Sequence, residues 1–355
     1  MSSKVFFLEI SPESSIEERA QTMKKLCRRP EFDRIITGKD KVAVKMHIGE
    51  KGNTTHVSPE VIREVVAAVK KSKGLPFLTE TSTLYRGERT NAILHTLHAE
   101  RHGFTIQNTG APFIMADGLE GNSEVDVEIN GILHERVSIA REAAYADALI
   151  AVSHVTGHMA SGIGAALKNL GMGLASRKGK MRQHSSVKPF IKEKKCIMCG
   201  ECIKWCPEDA ISEQNNKAHI NHEKCIGCGE CLTVCNYDAV SHNWGTETAE
   251  LQKHIAEYAL GAVAGKKGKA YFINCLFDMT EDCDCLSKKQ EPIVPDIGIL
   301  GSADPVALDS ATLDLTEKGE KKLIGSSWPR LDPWVQIEHG EKIGLGTRTY
   351  ELLTL

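Results

Sequence analysis

Read for apolar and polar positions, the chain switches between helix and strand periods up to about Ala175. Residues 5–10 are a short apolar run of strand character, and residues 16–29 repeat with the helical period. Residues 41–47 read as a strand. Ser58 then caps a helix with Pro59 in its first turn, which runs to about Lys73 and is stopped by Gly74. Residues 76–80 are the next strand, 88–102 the next helix and 147–153 a further buried strand. Residues 125–139 break the rhythm. There Asn130-Gly131 separates two alternating runs and predicts a hairpin. After a cysteine-rich stretch the rhythm returns, with a helix over 246–264, strands over 269–275 and 296–300, and a helix from Asp304-Pro305 to about Leu315.

This order predicts an α/β fold: a largely parallel sheet flanked by helices on both faces, interrupted by a small α+β module. The expected division is residues 1–187 and 246–355 for the α/β domain and 188–245 for the insert. Residues 177–195 carry eight Lys or Arg and read as the entry linker, either a solvated face or a docking patch for an acidic electron carrier.

Composition narrows the classes. A net charge of −3 lacks the basic excess of a nucleic-acid binder. No apolar run reaches the length that spans a bilayer, and the N-terminal residues lack the pattern of a secretion signal. The expectation is a cytoplasmic protein with neither a nucleic-acid nor a membrane partner. Of the 12 cysteines, eight lie between Cys196 and Cys235, which in that setting argues for metal or redox chemistry rather than a disulfide scaffold.

The first run is Cys196-x2-Cys199-x2-Cys202-x3-Cys206-Pro207, and the second is Cys225-x2-Cys228-x2-Cys231-x3-Cys235. This spacing resembles that of bacterial ferredoxins with two [4Fe–4S] clusters, in which the fourth cysteine of each run serves the other cluster. The resemblance implies Cys196, Cys199, Cys202 and Cys235 around one cluster and Cys225, Cys228, Cys231 and Cys206 around the second. The segment also repeats itself: Cys-Ile-Met-Cys-Gly-Glu-Cys returns 29 residues on as Cys-Ile-Gly-Cys-Gly-Glu-Cys. Asn236 departs from the pattern, standing where a proline would follow the second run. Zinc, which also takes paired Cys-x2-Cys, and purely structural clusters are the alternatives.

Outside the cysteine block, several stretches resemble the uncharacterised iron–sulfur-centre family known as domain of unknown function three-six-two. They are Lys45-Met46-His47-Ile48-Gly49-Glu50-Lys51-Gly52-Asn53, Ser153-His154-Val155-Thr156-Gly157-His158 with Gly164-Ala165-Ala166-Leu167-Lys168-Asn169-Leu170-Gly171-Met172-Gly173, Asp282-Cys283-Asp284-Cys285, and Pro295-Asp296-Ile297-Gly298-Ile299-Leu300 with Asp304-Pro305-Val306-Ala307-Leu308-Asp309. His158-x9-Lys168 in a Gly-rich turn is also similar to the histidine and cofactor-bearing lysine of nickel-pincer lactate racemases.

His47, His154 and His158 stand at or just past the carboxyl ends of predicted strands, where open α/β sheets build their sites. The expected catalytic residues are His158, Lys168 and His47. Gly162-Ile163-Gly164 is expected to open a helix whose free N–H groups hold an anion. Cys283 and Cys285 lie among carboxylates that disfavour free thiolates, which a bound metal would relieve. A third metal site from Cys283, Cys285, His154 and His158 is therefore expected, with a disulfide or thiol redox chemistry as the alternatives. Asp304 reads as a helix cap with Pro305 at the first helical position, and a catalytic carboxylate is the alternative there and at Asp309, Glu50 and Glu80.

Three functions follow. The first is an oxidoreductase taking single electrons from a donor such as a ferredoxin to an unknown small molecule or cofactor in the α/β cleft. The second is a non-enzymatic electron carrier or cluster scaffold. The third is a non-redox enzyme, such as an isomerase using a cofactor at Lys168, with structural clusters.

Overall fold

The structure is a computed structural model and describes residues 2–85, 87–184, 188–225, 231, 234–235, 237, 239–241 and 248–355. The strands predicted from the apolar runs assemble into one eight-stranded sheet. Its order is Tyr350–Thr354, Ser3–Glu9, Gly298–Ser302, Ala270–Leu276, Ala148–His154, Lys41–Lys45, Leu75–Glu80 and Phe113–Met115. Only Gly298–Ser302 runs against its neighbours, so the sheet is mostly parallel.

Covering both faces explains the composition of the central strands. Every residue of Ala148–His154 and Ala270–Leu276 is buried. Alternation sends Leu149 and Ala151 into the core on one face and Ala148, Ile150 and Val152 into the core on the other. Phe272 and Leu276 likewise face one core, and Tyr271, Ile273 and Cys275 the opposite one.

The helix Pro59–Lys71 buries Val61, Ile62, Val65, Val66 and Val69, the apolar stripe expected of a surface helix. It ends differently from the expectation. Lys73, not Gly74, takes the left-handed conformation (φ 65°). Gly74 is needed for space instead, since a Cβ there would sit 2.9 Å from Val69 Cγ1. The helix predicted over 88–102 is shorter, Ala92–Arg101, because Asn91 caps it by accepting from the Leu94 N–H and the residues before it fold back toward the sheet. The hairpin forms around Asn130 (φ 48°), with Val125 opposite Ile139. The helix Pro305–Thr316 opens on Asp304, whose carboxylate accepts from the N–H groups of Val306 and Ala307.

The basic stretch over 177–195 is not a solvated linker in its first half. Arg177–Gln183 is a helix with Lys180 and Met181 buried. The Lys180 ammonium is satisfied by Thr81 Oγ1, Ser82 O and Ala175 O, the last two at 2.8 and 2.9 Å. Further on, Phe190–Ile191 pairs antiparallel with Val240–Ser241, closing the cysteine-rich segment at its base. No helix among the described residues is long and apolar enough to cross a membrane.

Candidate active site and cysteine centre

The carboxyl ends of the parallel strands deliver the site. Lys41–Lys45 ends in Lys45 and runs on to His47 and Glu50, Leu75–Glu80 ends in Glu80, and Ala148–His154 ends in His154. Ala270–Leu276 leads into a loop that carries Cys283, Asp284 and Cys285. This is the edge at which open α/β sheets hold ligands.

A buried charge network floors it. Lys45 Nζ lies 3.5 Å from Glu80 Oε1 and 2.8 Å from Asn169 Oδ1. Burial pulls the Lys45 ammonium down to about 8, with Glu80 acting in the opposite direction. Arg89 bonds Glu50 Oε2 at 3.1 Å and approaches Glu80 Oε2 at 3.7 Å, and His95 Nε2 meets that same oxygen at 2.8 Å. His47 Nδ1 accepts from the Gly49 N–H at 2.9 Å, and its Nε2 lies 3.0 Å from Arg89 Nη1. Burial, and then the Arg89 charge, hold His47 well below its ordinary pKa, so the ring is neutral and packed against a guanidinium.

His154 is held at both nitrogens, Nδ1 by Asp284 Oδ2 and Nε2 by Phe277 O, each at 2.8 Å. Burial opposes its charge, but Asp284 and the Phe277 carbonyl outweigh burial and raise the pKa. Two acceptors are both satisfied only by an imidazolium. Asp284 Oδ1 accepts in addition from Asn53 Nδ2 at 3.1 Å and Thr55 Oγ1 at 3.2 Å. Against its own burial, these surroundings depress the Asp284 carboxyl well below the usual carboxylate range.

His158 sits on a small hairpin, Thr156–His158 paired with Gly162–Gly164. Its Nδ1 accepts from the N–H groups of Ala160 (3.2 Å) and Ser161 (3.0 Å). The hairpin is fastened to the cysteine loop, because the Gly157 N–H donates to Thr280 O at 2.8 Å. A Cβ on Gly157 would come within 2.2 Å of Glu281 O, so only glycine allows this approach. Consequently a ring nitrogen of His158 and the Sγ atoms of Cys283 and Cys285 all lie within 4.8 Å of one another. The two sulfurs are joined as a disulfide. Of the four residues expected at a third metal site, the structure gathers these three and commits His154 to Asp284.

Gly162–Gly164 is a strand and does not open a helix, and in the helix that follows, Ala166–Gly171, the first two N–H groups are already taken. Asp309 takes them: its two carboxylate oxygens accept from the N–H groups of Ala166 (2.9 Å) and Leu167 (2.8 Å). Lys168 remains at the cleft with no hydrogen-bond or ion-pair partner among the described residues, and burial pulls its ammonium down to about 8. Thr156 Oγ1, buried and also without a partner among the described residues, lies on the same side of Gly164 as Lys168: a Cβ there would be 3.0 Å from the hydroxyl and 3.9 Å from Lys168 Nζ. Asp284, already paired with His154, is the carboxylate that acts on Lys168, favouring its charge against burial.

In the cysteine-rich segment, one small pocket is lined by Cys196, Cys199 and Cys202 of the first run and by Cys235 of the second. Backbone N–H groups point at sulfur: Ala218 to Cys196 (3.4 Å), Ala210 to Cys206 (3.2 Å) and Ala239 to Cys235 (3.3 Å). Burial, then Cys199, Cys235 and Cys196 around it, push the Cys202 thiol up to about 11. Cys206, Cys225, Cys231 and Cys235 pack with Cys196 and Cys202 into the same small core, beside Ile211, Ile220 and Val240. Cys228 lies outside the described residues.

Sequence reasoning missed Arg89, Asn53 and Thr55, and with them the role of Asp284. A signal existed for Asp284. Flanked by two cysteines, it had to face away from whatever they face, and so toward the core.

Residues 42–314 match the family described as Domain of unknown function (DUF362), and the chain belongs to that family. Among solved structures it is similar to the lactate racemase apoprotein from Thermoanaerobacterium thermosaccharolyticum, at 11% identity and a TM-score of 0.38, over 78% of this chain and 51% of that one. It is also similar to a structural-genomics protein from Thermotoga maritima, at 12% identity and a TM-score of 0.37, over 82% of this chain and 56% of that one. The chain thus spans about half the length of each. No curated protein matches.

Proposed function

We propose that the protein is an iron–sulfur oxidoreductase of the cytoplasm, with two [4Fe–4S] clusters in an inserted ferredoxin-like module and an acceptor site at the carboxyl edge of the sheet. One observation carries this reading: cysteines from both runs, Cys196, Cys199, Cys202 and Cys235, line a single cavity. The donor set fits the group, being four thiols with backbone N–H groups aimed at Cys196 and Cys235. Zinc fits less well, because the repeated three-cysteine loops each reserve a fourth ligand from the other run. Cys225, Cys231 and Cys206, with Cys228, are the second set.

Such clusters, when bound, accept and release single electrons. The chain's own residues do the rest. Glu201, Lys204 and Trp205 surround the first site at the surface, where a ferredoxin-class donor would dock. In the cleft, Lys168 and Thr156 Oγ1 offer a cation and a hydroxyl that no hydrogen bond among the described residues uses. They suit an anionic small-molecule substrate. This favours an enzyme over a bare electron carrier, since a carrier gains nothing from a half-buried lysine without a hydrogen-bond partner among the described residues.

The test is anaerobic reduction with dithionite followed by electron paramagnetic resonance. Two reversible signals of reduced [4Fe–4S] type are expected, and both should vanish in Cys202→Ser/Cys231→Ser. A protein that takes up no reducing equivalents after cluster reconstitution would overturn the proposal.

A further inference from the structure

We propose that Cys283 and Cys285 form a redox-active pair in the cleft: a disulfide that takes two electrons and opens to a dithiol, with the His158 ring as hydrogen-bond partner of the sulfur released. The inference deepens the oxidoreductase reading by naming a group that is reduced, and it rests on that reading for the natural electron donor.

The surroundings of the pair are built. Asp284, between the two cysteines, is fixed by His154, Asn53 and Thr55, and the Asp284 carbonyl accepts from the Glu50 N–H at 2.9 Å. The Cys285 carbonyl accepts from Tyr85 Oη at 3.0 Å. These bonds hold the loop whether or not the two sulfurs are joined. A structural staple is a poor account of the disulfide for the same reason. Cross-linking stabilises by removing freedom from the unfolded chain, and this removal is least for the shortest loops. Here a single residue separates the cysteines.

Exposure assigns different roles to the two sulfurs. Cys283 is buried, whereas Cys285 is half-buried and open to an incoming thiolate. Attack at Cys285 makes Cys283 the leaving sulfur. A ring nitrogen of His158 lies within 4.8 Å of both sulfurs. With Nδ1 accepting from two backbone N–H groups, the neutral ring carries its proton on Nε2, and that N–H is free to donate to a thiolate. The same tautomer disfavours the three residues as a metal site, because ligation needs a nitrogen without a proton and Nδ1 is already occupied.

The step balances. Opening breaks one S–S bond, consumes two electrons and two protons, and leaves two thiols. A dithiol reagent supplies all four: one thiolate attacks Cys285 Sγ, the Cys283 thiolate departs beside His158, and the second thiol of the reagent closes its own disulfide as Cys285 is released. A low-potential one-electron carrier of the ferredoxin class would supply the electrons in two turns, with protons from water.

The experiment uses the full-length protein under anaerobic conditions. It is equilibrated across a series of reduced-to-oxidised dithiothreitol ratios, quenched with N-ethylmaleimide and read peptide by peptide by mass spectrometry. Cys283 and Cys285 should pass together from unlabelled to doubly labelled along one two-electron curve. His158→Ala should displace the midpoint roughly tenfold toward stronger reductant, as expected for losing a hydrogen bond to a charged group. His158→Gln, which keeps an N–H donor, should recover part of that shift. A pair that stays closed, or stays open, at every ratio overturns the proposal, as does reduced protein that holds one zinc per chain through these thiols. A further arm separates this outcome from failure of the cluster reading. In Cys202→Ser the dithiothreitol curve should be unchanged, but opening by reduced ferredoxin should be lost. If ferredoxin opens the pair equally fast in that variant, the electron-transfer reading fails and the thiol pair stands.

Discussion

Asp284 Oδ2 lies 2.8 Å from His154 Nδ1, both side chains are almost wholly buried, and the pair joins the cysteine loop to the end of a central strand. The loop follows Ala270–Leu276 and the histidine ends Ala148–His154, so the ion pair links neighbouring parallel strands just beyond their carboxyl ends. The position of Cys283 and Cys285 depends on it.

Asp284→Asn should therefore destabilise the fold in a pH-dependent way. The His154 pKa is raised in the folded protein, so its contribution is complete below the unfolded value of roughly 6.5 and is lost as pH rises through the folded pKa. The Asp284 pKa is depressed, so its contribution is present above roughly pH 4 and is lost only as pH falls through the lower folded value. Between roughly pH 4 and 6.5 the variant should lose about 3–5 kcal/mol, the cost of leaving one member of a buried pair uncompensated. Denaturant unfolding across pH should show that gap narrowing on the alkaline side. A constant gap would mean that the histidine is not charged.

Gly157→Ala should separate His158 from the cysteine pair. The added Cβ meets Glu281 O at 2.2 Å, and this neighbour is backbone that cannot swing aside. A loss of about 1–3 kcal/mol is expected from the forced shift. The sharper readout is thiol trapping, in which the variant should show the midpoint of His158→Ala. Wild-type trapping in Gly157→Ala would count against the contact.

Lys168→Met should cost little or no stability near neutral pH, since the lysine has no hydrogen-bond partner among the described residues to lose and methionine retains an apolar stem. The direction with pH is fixed. A lysine pulled down to about 8 penalises the folded state while charged, and the penalty fades as pH rises through that value toward roughly 10.4. The variant should be at least as stable as wild type at pH 7, and the difference should turn toward wild type at alkaline pH. Loss of several degrees in Tm at pH 7 would reveal a partner. Turnover or anion binding should fall together in this variant.

Asp309→Asn tests the carboxylate that holds Ala166–Gly171. Burial lifts Asp309 to about 6, so its ionisation works against the folded state as pH rises from roughly 4 through 6. The amide leaves one of two backbone N–H groups without its oxygen, which costs about 1–3 kcal/mol at low pH. Chemical denaturation should show the deficit shrinking between pH 4 and 7.

The α/β fold was legible because its central strands are covered on both faces and therefore read as apolar runs, and because Ser58-Pro59, Asn130-Gly131 and Asp304-Pro305 carry the chemistry of the caps and turn they form. Gly74 misled because a glycine serving space resembles one serving backbone conformation. His158 and the cysteines of the loop were legible as candidates. The assignment of His154 to Asp284 was not, since it joins residues 130 apart in sequence, one ending a strand and the other in the loop after its neighbour. The anion site expected at Gly162–Gly164 failed similarly, because the N–H groups are claimed by Asp309, a residue 143 positions from Ala166. Arg89 was hidden within a segment read as helix.

The most direct test of the central claim is elemental: iron and acid-labile sulfide per chain in protein purified and reconstituted without oxygen. The account predicts about eight of each, with absorbance near the visible charge-transfer region that bleaches on reduction. Iron well below four per chain, or zinc in stoichiometric amounts in its place, would contradict it.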